Sequence, residues 1–171
     1  MNEKKTPEAF NFVTHWPQGT PKDGAAVLEF WQRENAIGDE AQAQQRLREV
    51  VVHATNEAGE VAGVCTAIPL TLPRLGQPMY YYRCFIGTDW RRMRLGTSLL
   101  KRAFAVLGEY ARSHDYPCIG VALELENTGL RETLNMPIWP INYFIYIGKS
   151  QRDLELRVRY FRGARLKQSA K

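Results

Sequence analysis

Three arginines, Arg91, Arg92 and Arg94, stand in "IGTDWRRMRLGTSLLKRAF", at the front of a stretch that reads as a helix. Aligned peptide dipoles put partial positive charge at a helix N-terminus, and the first N–H groups there lack intrahelical acceptors. Cations at that end are misplaced unless an anion joins them, so the segment predicts an anion-binding turn. A strand, a short loop and an amphipathic helix in this order let backbone N–H groups cradle a phosphate, with arginine adding charge-assisted hydrogen bonds. The spacing fits neither the G-x-x-x-x-G-K-[ST] of a nucleotide P-loop nor the G-x-G-x-x-G of a dinucleotide fold. The competing reading is a solvated charge run on a loop.

The remaining polar chemistry is sparse. In "CIGVALELEN", Val121, Leu123 and Leu125 alternate with Glu124 and Glu126, which puts the two carboxylates on one strand face. Arg83 lies on the largely apolar "MYYYRCFIG" and wants a carboxylate, which Glu124 or Glu126 could provide. Cys65, Cys84 and Cys118 are far apart in apolar contexts and read as small buried side chains. His15, His53 and His114 form no ligand spacing with them, so no metal is assigned.

Around these residues the elements follow from periodicity and punctuation. "FNFVTHW" reads as a strand, "AAVLEFWQRENAI" and "DEAQAQQRLREV" as helices, and "VVVHATN" and "VAGVCTAIPL" as strands separated by "EAGE". "MYYYRCFIG" is a further strand, and "LGTSLLKRAFAVLGEYARS" is a helix with Leu95, Leu99, Leu100, Ala103, Phe104 and Leu107 on one broad face. "CIGVALELEN" is followed by one or two helical turns in "TGLRETLN", which "MPIWP" cannot continue. "INYFIYIG" and "LELRVRYF", joined by "KSQRD", read as an antiparallel hairpin. Such an order makes a mixed sheet with helices on its faces.

At 171 residues, 44% of them hydrophobic, the chain is expected to form one domain spanning 1–171, with flexible ends at 1–9 and 163–171. Its net charge of +5 admits an anionic ligand, an acidic substrate or nucleic acid without choosing among them. The N-terminus lacks a signal-peptide core, and no apolar run approaches the roughly 18 residues of a membrane span, which predicts a cytoplasmic protein without a membrane partner.

The arginine-rich turn resembles that of the GNAT superfamily of N-acetyltransferases, whose pyrophosphate loop reads [QR]-x-x-G-x-[GA]. Arg91-Arg92-Met93-Arg94-Leu95-Gly96 fits at the first and last fixed positions, and Arg94 replaces the middle glycine. "Thr97-Ser98-Leu99-Leu100" looks like the usual helix opening, and Val121-x-Leu123-x-x-x-Asn127 is similar to the fifth-strand pattern. The resemblance covers residues 10 to 162. It implies an α/β (α+β) fold with a mixed, mostly antiparallel sheet of about seven strands, helices on both faces, and a V-shaped splay between strands four and five. It also implies acetyl-CoA as cosubstrate. Cys84, Phe85 and Ile86 would hold the pantetheine arm, the turn formed by Arg91, Arg92, Met93, Arg94, Leu95, Gly96 and Thr97 would hold the pyrophosphate, and Asn127 would contact the cofactor. Glycine permits a positive φ that arginine resists. With Arg94 at negative φ the guanidinium is left for solvent or the phosphates; a turn that loses its shape would bind weakly.

Acetyl transfer to an amine needs a proton acceptor and an acid for the thiolate. Many family members supply the acid from a Tyr seven residues after the Asn, where this chain has Leu134, and a frequent acidic position five residues before the Asn is Ala122. Glu126, being nearer Asn127, and Glu124 are therefore the candidate bases. Tyr143 and Tyr146 are candidate acids because the last two strands border the acceptor site in the family, although aromatics there, like Tyr80, Tyr81 and Tyr82, also suit sheet packing.

The resulting expectation is an N-acetyltransferase acting on a primary amine of an unidentified acceptor, with a homodimer allowed by the resemblance. One alternative is a non-catalytic acyl-CoA-binding or sensor module, motivated by Leu134 and Ala122. The least favoured is a basic nucleic-acid-binding domain, motivated by arginines among the aromatics of "YYYRCF" and "RVRYF".

Overall fold

Val50 to Ala54 carries apolar residues at almost every position, the pattern of a strand covered on both faces. It forms β2 (Val50–Thr55), in which His53 is the buried polar exception. The structure, a computed structural model, describes residues 9–17, 22–91 and 93–168. The other elements are β1 (Asn11–Thr14), α1 (Gly24–Arg33), α2 (Glu40–Leu47), β3 (Val61–Leu72), β4 (Gln77–Ile86), a 3-10 turn (Thr88–Trp90), α3 (Leu95–Ser113), β5 (Gly120–Leu125), α4 (Thr128–Thr133), β6 (Ile145–Lys149) and β7 (Glu155–Tyr160). This is the order expected from periodicity, with the 3-10 turn added.

The strands hydrogen-bond in the order β1-β2-β3-β4-β5-β7-β6. The sheet is mixed and mostly antiparallel, and β4 and β5 run parallel through Tyr80↔Val121 and Tyr81↔Ala122. The chain divides into two compact units, one comprising residues up to Ala67 and Cys84–Val106, the other Ile68–Arg83 and Leu107–Lys171.

In the first unit, helical spacing brings Val27, Phe30 and Trp31 of α1 to one face, where they pack with Ala43 and Leu47 of α2 and with Val50, Val61 and Val64. Asp39 starts α2 by accepting a hydrogen bond from the Gln42 N–H at 2.8 Å. The opposite face of β3 receives α3. A Cβ on Gly63 would lie 3.0 Å from Leu99 Cδ1 and 3.3 Å from Leu95 Cδ2, so helix and strand pack at glycine distance.

In the second unit, β5 and β7 pair without interruption from Gly120↔Tyr160 to Leu125↔Glu155. Leu72, Met79, Ile119, Ala122, Leu156 and Val158 form its apolar cluster. Arg157 of β7 is buried beside them. Its guanidinium donates to Glu155 at 3.1 Å and to the carbonyls of Leu134 and Met136 at 3.1 and 2.9 Å, and lies over the Trp139 ring.

Two local expectations change. The strand expected over "INYFIYIG" begins only at Ile145, because Ile138 bridges Ile145 and the Tyr143 N–H bonds the Trp139 carbonyl, folding residues 139–143 into a turn with Tyr143 at φ 57°. Cys84 is exposed, whereas Cys65 and Cys118 are buried as expected. Burial pushes the Cys118 thiol up to about 11. Of the ends expected to be flexible, 1–9 and 163–171, residues 1–8 and 169–171 lie outside the described residues. Between them and the core, Lys167 and Gln77 exchange two hydrogen bonds, at 2.7 and 2.9 Å.

Candidate functional site

The arginine-rich turn belongs to the first unit and is anchored at both ends. Gly87 leaves β4 with its N–H bonded to the Ala62 carbonyl at 2.9 Å. A Cβ at Gly87 would fall 2.8 Å from the Trp90 ring and 3.1 Å from Phe30, so glycine lets the indole fold over the backbone. Arg91 turns back, its Nε donating to the Ile86 carbonyl at 3.3 Å with the guanidinium over Phe85. Arg92 lies outside the described residues.

Arg94 has φ 56°. The negative φ considered for a preserved turn is therefore corrected: the arginine takes the left-handed conformation that the family's glycine would allow. Its carbonyl accepts the Ser98 N–H at 3.2 Å, starting α3 and leaving the N–H groups of Leu95, Gly96 and Thr97 without intrahelical acceptors by helix geometry. Among the described residues, a Cβ at Gly96 would meet Ile86 Cγ1 at 3.8 Å, an ordinary contact. The described neighbours thus leave room for a side chain there, and a glycine at this point suits the close approach of a ligand's phosphate to the backbone. Cys84, Phe85 and Ile86 end β4, with Phe85 set edge-on to Phe30.

The carboxylates belong to the second unit. Glu124, on β5, has a side chain only 10% exposed, whereas Glu126, just beyond the strand, is 62% exposed. One guanidinium nitrogen of Arg152, in the β6–β7 turn, lies 2.9 Å from both. This replaces the expected Arg83 partner. Arg83 lies instead over the ring of Tyr81, 4.9 Å from its centroid. Burial, with the nearby Glu124 carboxylate adding to it, raises the Tyr81 hydroxyl above the ordinary tyrosine range. Glu124 is thus a shielded carboxylate whose hydrogen-bond partner is Arg152.

Asn127 caps α4, its Oδ1 accepting from the N–H groups of Gly129 and Leu130 at 2.9 and 3.3 Å. Tyr143 is exposed in the turn before β6, with Arg159 near its ring, and Tyr146 is exposed on β6. Leu134 contributes its carbonyl to Arg157 and to the Trp139 indole, and Ala122 is buried in the apolar cluster. Tyr80, Tyr81 and Tyr82 are buried and supply no stacking platform for bases. Among the described residues, no group of three or more His, Cys, Asp or Glu is placed to hold a metal ion, and no helix is long and apolar enough to cross a membrane.

Sequence reading missed two residues. Glu34 accepts hydrogen bonds from both the N–H and the hydroxyl of Thr88, at 3.0 and 2.9 Å. Arg152 sits in a segment legible only as a hairpin turn. Neither carries a local motif; for Arg152 the nearest signal is the strand order that returns β7 alongside β5.

No family model matches the chain, and no curated protein matches it. Solved structures do. A GNAT-family acetyltransferase from Streptococcus pneumoniae superposes with a TM-score of 0.56 at 14% identity, over 90% of this chain and 99% of that one. A bacterial toxin gives 0.60 at 11% identity over 90% and 91%. A GNAT-family acetyltransferase from Brucella melitensis, in complex with acetyl-CoA, gives 0.50 at 16% identity over 95% and 94%. The chain has the fold of the GNAT acetyltransferases.

Proposed function

We propose that the chain is an acetyl-CoA-dependent N-acetyltransferase of the GNAT superfamily, acting on a primary amine. The observation that carries this reading is Arg94 at φ 56°, two residues before Gly96, at the start of α3. A left-handed arginine costs about 1–2 kcal/mol, and a turn held in that conformation at such a cost is a mark of function. It stands directly before the first N–H groups of α3, which have no intrahelical acceptors and suit a pyrophosphate.

In this reading the residues Arg91 to Thr97 hold the pyrophosphate, and Cys84, Phe85 and Ile86 the pantetheine arm. Asn127 contributes its amide. Acetyl-CoA, when bound, supplies the thioester whose carbonyl the amine attacks, so that a C–N bond forms and the C–S bond breaks. Glu124 takes the amine proton, directly or through water, because its carboxylate is shielded and oriented by Arg152. The exposure of Glu126 favours a role in holding Arg152 rather than in proton transfer. Tyr143 and Tyr146 remain the candidates for protonating the thiolate.

Calorimetric titration with acetyl-CoA, beside Gly96→Trp as a block of the turn, tests the cofactor site. Saturable binding lost in the variant supports it, and absence of binding in both refutes it. Turnover on a panel of primary amines then separates the enzyme from a binding module, which would bind and never acetylate.

A further inference from the structure

We propose that Glu34 is a positioning residue for the arginine-rich turn, acting through Thr88; this rests on the reading of that turn as the acetyl-CoA pyrophosphate site. Glu34 follows the last residue of α1 and is its C-cap, a position where a carboxylate opposes the helix dipole. Its side chain is nevertheless only 11% exposed, and one oxygen accepts both the Thr88 N–H at 3.0 Å and the Thr88 hydroxyl at 2.9 Å. Hydrogen bonds to a charged acceptor are the stronger kind, so the clasp offsets the unfavourable dipole.

Thr88 is the first residue of the 3-10 turn that leads into Arg91 and Arg94. Gly87 is fixed to Ala62, Trp90 packs over Gly87 and Phe30, and Arg91 reaches back to Ile86. All of these except the Phe30 contact tie the turn to the strands or to itself. Glu34 adds a polar tie from α1, which is itself pinned by Phe30 and Trp31 in the core. Without it the start of the turn keeps its position on the strand but loses the bond that sets its rotation. Arg94, already in a costly conformation, would then relax toward negative φ and carry the first N–H groups of α3 out of line.

The test uses the full chain and two readouts, one needing no ligand. Limited trypsin cleavage after Arg91, Arg92 or Arg94 reports how often the turn opens. Acetyl-CoA titration reports its fitness for binding. Glu34→Ala should cleave about tenfold faster and bind about tenfold more weakly, whereas Glu34→Gln, which keeps an acceptor oxygen, should restore most of both. Thr88→Val should give a smaller effect that vanishes when combined with Glu34→Ala, as coupled partners do. Cleavage at the wild-type rate in Glu34→Ala would overturn the proposal, as would failure of Glu34→Gln to rescue. Faster cleavage in Glu34→Ala with no acetyl-CoA binding even by the wild type would leave the clasp standing and overturn its assignment to coenzyme A.

Discussion

His15 Nε2 lies 2.7 Å from His53 Nδ1, with the two rings stacked 13° from parallel. Such a contact needs one protonated and one bare nitrogen, so the pair shares a single proton along the β1–β2 seam. His53 is buried, and burial lowers the proton affinity of both rings; the other imidazole lowers that of His53 further, while Asp23, 3.9 Å from His53, acts in the opposite direction.

Histidines depressed in the folded state bind protons more readily when unfolded. Stability from this pair is therefore complete above the unfolded value of about 6.5 and is lost as the pH falls from there through the lower folded-state values. The urea midpoint should drop between pH 7.5 and 5.5, and His53→Gln should flatten that drop. An equally steep profile in the variant would place the acid sensitivity elsewhere.

Glu124 and Glu126 should separate kinetically. Glu124→Gln is expected to lower kcat by about 100-fold or more with acetyl-CoA affinity unchanged, and Glu126→Gln by only a few-fold. The reverse order in steady-state assays would move the base to Glu126.

Replacing Arg94 by glycine trades a left-handed arginine, costing about 1–2 kcal/mol, for the larger unfolded-state freedom of glycine, costing about 0.4–1 kcal/mol. A gain of about 0.5–1 kcal/mol follows, raising Tm by roughly 1–4 °C. Acetyl-CoA titration of the same variant reads the charge separately. Weaker binding by a more stable protein would show that the guanidinium touches the phosphates.

Arg157→Ala and Arg157→Lys should both destabilise, the alanine variant by about 3 kcal/mol in urea unfolding. The buried guanidinium holds Glu155 and two loop carbonyls in a fork that an ammonium cannot reproduce. A near-native midpoint for Arg157→Lys would mean that charge alone suffices.

The elements were legible because their signals are local. The apolar face of α3, the alternation of β5 and the β6–β7 hairpin each arise from residues a few positions apart, and all appear where periodicity puts them. "INYFIYIG" misled at its start because aromatic and β-branched content suits a strand, while the bridge between Ile138 and Ile145 folds residues 139–143 into a turn. Cys84 misled for a similar reason: an apolar neighbourhood in sequence does not fix which strand positions are covered.

By itself the sequence determined the order of elements and the composition of the arginine-rich turn, since both rest on spacing along the chain. It did not determine which carboxylate is shielded, what conformation Arg94 takes, or what holds the turn. Those were decided by partners far apart in sequence: Arg152 reaches Glu124 across 28 residues, and Glu34 reaches Thr88 across 54 residues. Burial and hydrogen bonding depend on such neighbours, and only the folded chain supplies them.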